Sequence, residues 1–171
     1  MIRFLKITCL FCLFGLAASF TSCRFYSFTG ASISTDVKTV TIQHFPNRAA
    51  TIEPTLSQHF TEKLKDAFLG QTSLTLEPNG ADLNFSGSIV KYEVKPIAIQ
   101  ANEQAAQNRL TIAVKVTVEN IKDNSKNFDQ QFSRYTDYDS SQNLADIEAD
   151  LIEEITTELV EDIFNKAVVN W

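Results

Sequence analysis

A strictly alternating stretch near the middle of the chain restricts the possible fold more than any other feature. Apolar side chains stand at every second position from Leu110 to Val118, and threonine, alanine or lysine lies between them. Side chains of a β-strand point alternately to its two faces, so this stretch predicts a strand with one apolar and one polar face. Such a strand needs a second layer on its apolar side only.

A long amphipathic pattern at the C-terminal end of the chain can provide that layer. Its apolar face comprises Leu144, Ile147, Leu151, Ile155, Leu159 and Ile163. Acidic residues occupy the rest of the pattern, as is usual for the solvated side of a helix. We expect one helix over residues 142–169, roughly 40 Å long at about 1.5 Å per residue.

Five further segments complete the predicted elements. They are strands at residues 37–45, 73–77, 81–96 and 127–136, and a helix that starts at Pro54 and stops at Gly70. Apolar positions change parity at Ile89 and Val90, which predicts either a β-bulge there or a strand buried on both faces, with Gly87 as a bending point. The order β-α-β-β-β-β-α predicts an α+β fold, a two-layer sandwich with two helices packed on one face of a mostly antiparallel (mixed) sheet.

The N-terminal stretch has the pattern of a signal peptide. Arg3 and Lys6 precede an apolar run, and small residues follow the run just before Cys23. We expect a lipoprotein that is cut before Cys23 and acylated on its sulfur, with palmitate as the expected lipid. Phe20 stands where lipoproteins usually carry leucine. A plain secretory signal and an uncleaved anchor are the alternatives, although the run is shorter than the about 20 apolar residues of a membrane span.

These features divide the chain into a signal peptide at residues 1–22, a lipidated aromatic tether at 23–36 and one sandwich domain at 37–171. The tether contains Phe25, Tyr26 and Phe28, which are poorly suited to a solvated linker. We therefore expect these side chains to pack on the domain or on a partner. The tether has no acidic residue before Asp36, which favours retention on the periplasmic side of the membrane.

Charge and cysteine usage exclude several classes of function. The chain has 15 basic and 21 acidic residues, and removal of Arg3 and Lys6 leaves 13 basic residues and a net charge of −8. Binding of nucleic acid through its phosphates, which requires clustered lysine and arginine, is not expected. Cys9 and Cys12 leave with the signal and Cys23 carries lipid, so the mature domain has no thiol for catalysis or for metal binding.

Motifs of enzyme active sites are missing from the sequence. His44 and His59 form no zinc-binding pattern, no serine lies in Gly-x-Ser-x-Gly, and the five glycines are scattered. Each histidine is best interpreted as a structural residue. We expect a protein that binds or scaffolds rather than catalyses, and we expect no cofactor and no metal.

The remaining candidates are basic and aromatic residues of the sheet. The basic candidates are Lys91, Lys95, Arg109, Lys115 and Arg134, and the aromatic ones are Tyr92, Tyr135 and Tyr138. We expect them on the face or open end of the sheet that the helices leave uncovered, where they could meet an acidic amphiphile or a protein. An ordinary solvated sheet face is an equally good interpretation of any single one.

The whole mature chain resembles a known family. The residues that carry the resemblance are the run from Cys23 to Gly30, Phe45–Asn47, Arg109–Ile112, Asp162–Asn165 and the terminal Trp171. Their order and spacing resemble the LptE-like lipoproteins of the Bacteroidota. The resemblance implies a two-layer sandwich anchored to the inner leaflet of the outer membrane. It also implies a partner, the LptD-type β-barrel that the protein plugs and helps to assemble, and contact with lipopolysaccharide during export.

Only Cys23 carries over from that family by position, because the family's basic residues do not align with a motif here. The five basic residues given above are therefore our candidates for lipopolysaccharide contact. The alternative function is a stand-alone periplasmic lipoprotein that binds a small amphiphile, which would require a deep apolar pocket inside the sandwich. An envelope hydrolase is a third hypothesis, and no acid–base pair can be nominated for it.

Overall fold

The computed structural model describes residues 33–97 and 107–169. The elements are β1 Thr39–Ile42, α1 Leu56–Gln71, β2 Thr75–Leu76, β3 Leu83–Ile97, β4 Gln107–Asn120, β5 Phe128–Asp139 and α2 Leu144–Phe164. A short 3-10 turn, Asn124–Lys126, joins β4 to β5, and a π-helical turn, Asn165–Val169, extends α2. The predicted order of elements is confirmed. The signal, Cys23, most of the tether and Trp171 lie outside the described residues.

The five strands form one mixed sheet in the order β2-β1-β3-β4-β5. Strand β1 pairs in parallel with both β2 and β3, whereas β3, β4 and β5 form the predicted antiparallel meander. The first strand in the chain therefore lies inside the sheet. Helix α1 connects β1 to β2, as parallel neighbours require.

The predicted bulge is present in β3. The register between β3 and β4 shifts between Ile89 and Lys91, so that side chains beyond the bulge change face. Two positions earlier, Gly87 lets the backbone of β4 come close. A Cβ atom there would lie 2.0 Å from the carbonyl oxygen of Lys115 and 2.7 Å from the ring of Phe45. Glycine is therefore required at this position for space.

Both helices pack their apolar faces on the same side of the sheet, as the sequence predicts. Phe68 of α1 joins three elements, because its ring centroid lies 4.6 Å from that of Phe85 in β3 and 5.1 Å from that of Phe164 in α2. Phe45 and Phe60 make a second contact, edge to face at 5.3 Å. Such aromatic pairs add to the free energy gained from burying their area.

The bounds of α1 differ from the prediction at both ends. The helix begins at Leu56 and not at Pro54, because the Glu53 carboxylate accepts hydrogen bonds from the Leu56 N–H and from the Thr55 hydroxyl. It ends at Gln71, one residue beyond the predicted stop at Gly70. The N–H and hydroxyl groups of Thr72 both donate to the Phe68 carbonyl and close the last turn. Side chains thus set both ends of this helix.

Helix α2 and its π-helical turn cover residues 144–169, close to the predicted helix. Buried side chains recur along it, and Ala167 and Val168 of the last turn remain in the core. Among residues 33–97 and 107–169, no helix has the length and apolarity needed to cross a membrane.

Candidate functional site

Register separates the two faces of the meander. Phe85, Ile89, Val114 and Val116 are buried under the helices, and their neighbours along each strand point away from the helices. We call the second set the open face. Its charged and aromatic members are Lys91, Glu93, Lys95, Arg109, Lys115, Glu119, Asp129, Tyr135, Asp137 and Asp139.

Four of the five basic candidates lie on the open face, as expected: Lys91, Lys95, Arg109 and Lys115. The expectation is wrong for Arg134, which pairs across the sheet with Ile112 and so points to the helix side at the edge strand. There its guanidinium group donates to Asp162 of α2 at 2.6 and 2.7 Å. Arg134 therefore fastens the edge of the sheet to the second helix.

Two of the three tyrosines are also not surface groups. Tyr92 follows the bulge and is paired with Ile112, so it faces the helices and is only 5% exposed. Its hydroxyl donates to Glu148 of α2, and burial followed by this hydrogen bond raises the pKa of Tyr92. Tyr138 is 6% exposed. Only Tyr135 lies on the open face, with 53% of its surface exposed.

The lysines of β3 share one acidic partner. The ammonium groups of Lys91 and Lys95 each lie 2.9 Å from the carboxylate of Glu93, which stands between them on the same face of the strand. Their hydrogen bonds, first from Lys91 and then from Lys95, lower the pKa of Glu93. Two positive charges and one negative charge leave this group with a single positive charge.

Arg109 and Lys115 on β4 are paired one to one with acids of β5. Arg109 donates two hydrogen bonds to Asp137 at 2.7 and 2.8 Å, and its guanidinium carbon lies 3.6 Å from the centroid of the Tyr135 ring. The hydrogen bond from Arg109 lowers the pKa of Asp137. Lys115 lies 3.1 Å from Asp129.

The charges of the open face nearly cancel. Four basic side chains stand beside five acidic ones across β3, β4 and β5. This is not the basic patch that the sequence candidates suggested, because the acids of β5 and Glu93 interleave with the bases. A surface of mixed charge can bind a polar protein surface of complementary pattern, and it attracts a diffuse anion only weakly.

Both histidines have structural partners, as the sequence analysis favoured. His59 of α1 lies between the helices, with its Nε2 atom 3.0 Å from Glu153 and 3.1 Å from the Thr156 hydroxyl of α2. His44 Nε2 lies 2.9 Å from the Ser57 hydroxyl. Within the described ranges, no group of three metal-ligating side chains comes together.

The polar cluster between the helices was not predicted from the sequence. Lys63 of α1 binds Glu153 of α2 beside His59, and the hydrogen bond from Lys63 lowers the pKa of Glu153. These residues border a cleft of about 460 Å³. Helical periodicity places each of them near the edge of an apolar face, but only the packing of the two helices brings them together.

Comparison with protein families gives a match over most of the chain. Residues 37–167 match the family model LptE, described as lipopolysaccharide-assembly. The match spans both helices and all five strands, and it confirms the family that the sequence resembles. The assignment to the Bacteroidota stays a prediction. A comparison with proteins of curated function gives no match.

Solved structures share the fold at low sequence identity. A minor lipoprotein from Acinetobacter baumannii has a TM-score of 0.51 and 12% identity, with 79% of this chain and 95% of that chain covered. A hypothetical protein from Chlamydia trachomatis has a TM-score of 0.50 and 12% identity, with 77% and 98% covered. At these identities the likeness concerns the fold alone.

Proposed function

Because the chain belongs to the LptE lipopolysaccharide-assembly family, we propose that it is a non-enzymatic lipoprotein subunit of the outer-membrane lipopolysaccharide export machinery. The observation that carries the proposal is the family match over residues 37–167. In this role Cys23 holds the protein on the periplasmic side of the outer membrane by its lipid. The protein acts by occupying a position at the membrane and by binding partners there.

Its protein partner is an LptD-type β-barrel, which it plugs and helps to assemble. The lumen of an outer-membrane barrel is polar, and the open face is a polar surface of balanced charge. Such a surface loses little free energy on entering a polar lumen if each charge keeps a partner there. The intramolecular pairs of Arg109 with Asp137 and of Lys115 with Asp129 already meet that condition.

Contact with lipopolysaccharide is assigned to the basic residues of the open face. Lys91 and Lys95 are the strongest pair, because they share the single carboxylate of Glu93 and one positive charge remains for a phosphate group. Arg109 and Lys115 would have to leave Asp137 and Asp129 first. Arg134 is engaged with α2 and is the weakest of the five candidates.

The alternative function, a stand-alone carrier of a small amphiphile, needs an apolar pocket between the layers. In the part of the chain that the structure describes, Phe45, Phe60, Phe68 and Phe85 occupy that space and are fully buried. The filled interior favours the subunit over the carrier.

Co-purification tests the partner. The native lipoprotein would be isolated from detergent-solubilised outer membranes, and we expect a large β-barrel protein to be recovered with it in a fixed ratio. Recovery of the lipoprotein only as a free monomer would contradict the proposal.

Two matched arginines test the surface. Arg109 and Arg134 each donate two hydrogen bonds to a carboxylate, but only Arg109 is on the open face. We expect Arg109→Glu to reduce recovery of the barrel about tenfold or more, because a reversed charge at a contact is costly. Arg134→Glu is the control and should leave recovery unchanged while lowering thermal stability. If both changes reduced recovery of the barrel equally, the open face would not be part of the interface.

Charge reversal also tests lipopolysaccharide contact. We expect Lys91→Glu or Arg109→Glu to weaken binding of purified lipopolysaccharide while the sheet stays folded. Thermal unfolding of each variant must be measured alongside, because a lost ion pair could otherwise imitate a lost contact. Unchanged binding in both variants would exclude these residues from the lipid site.

A further inference from the structure

A groove of about 580 Å³ lies on the surface where the described chain begins. One side is formed by the first described residues and the other by the end of α1 and the loop that follows it. The lining comprises the apolar residues Ile33, Val37 and Leu74, together with Gly70 and polar residues that include Lys38 and Gln71. No element of the described fold covers this groove, which borders the N-terminal segment directly.

Gly70 keeps part of the groove free. It lies in the last turn of α1, where glycine is less favourable than alanine by about 1 kcal/mol. Its φ angle is not positive, so the backbone does not require glycine there. A Cβ atom built on Gly70 would have no described atom within 4 Å, so the space beside this lining residue is open.

Apolar side chains form part of the groove lining. Val37 and Leu74 are its buried apolar lining, and Ile33 is half-buried. Outside the lining, Leu69, which precedes Gly70, is 44% exposed, and Leu76 of β2 is 37% exposed. An aromatic side chain placed here would gain free energy by removing apolar surface from water.

We propose that the aromatic segment Arg24–Thr29 of this same chain binds in the groove. Phe28 precedes Ile33 by five residues, so an extended chain places these two residues at most about 17 Å apart. Phe25 and Tyr26 precede Ile33 by eight and seven residues, which an extended chain spans with at most about 27 and 24 Å. Because the segment is covalently joined to the groove's own border, its effective concentration is in the millimolar range or higher.

A second cleft near the same residues is a poor competitor. It is about 290 Å³ in volume, shares Ser34 and Val37 with the groove, and is otherwise lined by Asp36, Asn120, Lys122, Asp123 and Lys126. Burying an aromatic ring against these charged groups would remove them from water without a new hydrogen bond. The two clefts therefore lie at a similar distance from the tether, but charged side chains make up more of the lining of the second cleft.

The docked segment shortens the link between Cys23 and the domain. Only Arg24 then separates the acylated residue from the bound aromatic groups, so the domain is held at one orientation relative to the membrane. This inference concerns the chain's own tether and does not depend on the function proposed above.

Thiol crosslinking distinguishes a docked tether from a free one. The chain from residue 23 with Cys23→Ser has no other cysteine, so a thiol can be placed at Thr29 and a second one at a chosen position. Ser73 borders the groove, and Asn124 lies in the β4–β5 turn beside the second cleft; both are exposed. We expect Thr29→Cys to crosslink to Ser73→Cys about tenfold faster than to Asn124→Cys, because docking concentrates it at one site. Equal rates, or faster reaction at Asn124, would overturn the proposal.

Two variants test the cause of the preference. Gly70→Leu fills the groove, and replacing Phe25, Tyr26 and Phe28 with serine removes the occupant. In each variant we expect Thr29→Cys to crosslink to Ser73→Cys and to Asn124→Cys at similar rates. Thermal unfolding should show that the domain remains folded. A folded variant of either kind that retained the full preference for Ser73 would overturn the assignment of groove and occupant.

Discussion

At Gly87 three parts of the molecule approach closely: β3, β4 and the loop that follows β1. The backbone of β4 and the ring of Phe45 both occupy space that a side chain at position 87 would need. Its φ angle of +157° adds a backbone conformation that other residues rarely adopt. The close approach lets Phe45 lie over β3 and contact Phe60 of α1. One missing methyl group thus permits the contact between the first loop and the core.

We expect Gly87→Ala to destabilise the domain by about 2 to 3 kcal/mol, because the carbonyl oxygen of Lys115 belongs to a paired strand and cannot move away easily. Urea unfolding followed by circular dichroism measures the change. Gly70→Ala is the control, since no described atom would meet its Cβ, and it should raise stability by up to about 1 kcal/mol. A neutral effect at Gly87 would contradict the importance of this contact.

Single residues show where prediction from sequence fails. Arg134 has the same parity as Phe128 and Phe132, so its position on the helix side could have been predicted from β5 alone. Tyr135, of opposite parity, obscured that pattern. Sharing of Glu93 by Lys91 and Lys95 was also predictable, because residues two apart in a strand lie on one face. The pairing of Arg109 with Asp137 was not, since it depends on the register of two strands.

At the scale of elements, Asp82 joins the start of β1 to the turn between β4 and β5. Its carboxylate accepts the N–H groups of Lys38 and Thr39 at 2.9 and 3.2 Å, and Lys122 lies 3.1 Å away. The hydrogen bond from Lys38, followed by that from Lys122, lowers the pKa of Asp82 from 3.8 to about 2. Folding therefore favours the ionised carboxylate.

This shift predicts how stability depends on pH. A carboxylate with a lowered pKa in the folded state stabilises the fold fully above its unfolded pKa, and the contribution is lost as the pH falls through about 2. We expect Asp82→Asn to be less stable than the natural chain at pH 7, with the gap narrowing between about pH 4 and pH 2. Thermal unfolding across this range measures it. A gap of constant size would show that Asp82 acts through shape and not through charge.

Element type was more predictable than element arrangement. Alternation identified the meander, helical spacing identified both helices, and the change of parity located the bulge at Ile89. The position of β1 between β2 and β3 could not be inferred, because apolar periodicity shows which face of a strand is buried and not which strands are neighbours. The strand ends also differ from the prediction. The regular part of β1 ends at Ile42 and not at residue 45, although the Gln43 N–H still donates to the Phe85 carbonyl.

At the scale of the whole molecule, the proposed function depends on where the domain is held. We expect Cys23→Ala to leave the fold intact, because the described domain begins downstream of it, and to move the protein out of the outer-membrane fraction. Membrane fractionation measures the location, and circular dichroism of the purified variant checks the fold. Normal outer-membrane fractionation of the variant would show that acylation is not the anchor.

The position of β1 also determines how the domain responds to mechanical load. A pull on the N-terminal segment reaches β1 before any other strand. Because β1 is hydrogen-bonded to β2 on one side and to β3 on the other, the load shears two ladders together instead of peeling one edge strand. Resistance to such a pull is governed by the rate of forced unfolding and not by the equilibrium free energy. In the proposed role, attachment through an interior strand therefore suits the domain to remain folded while a partner moves against the membrane anchor.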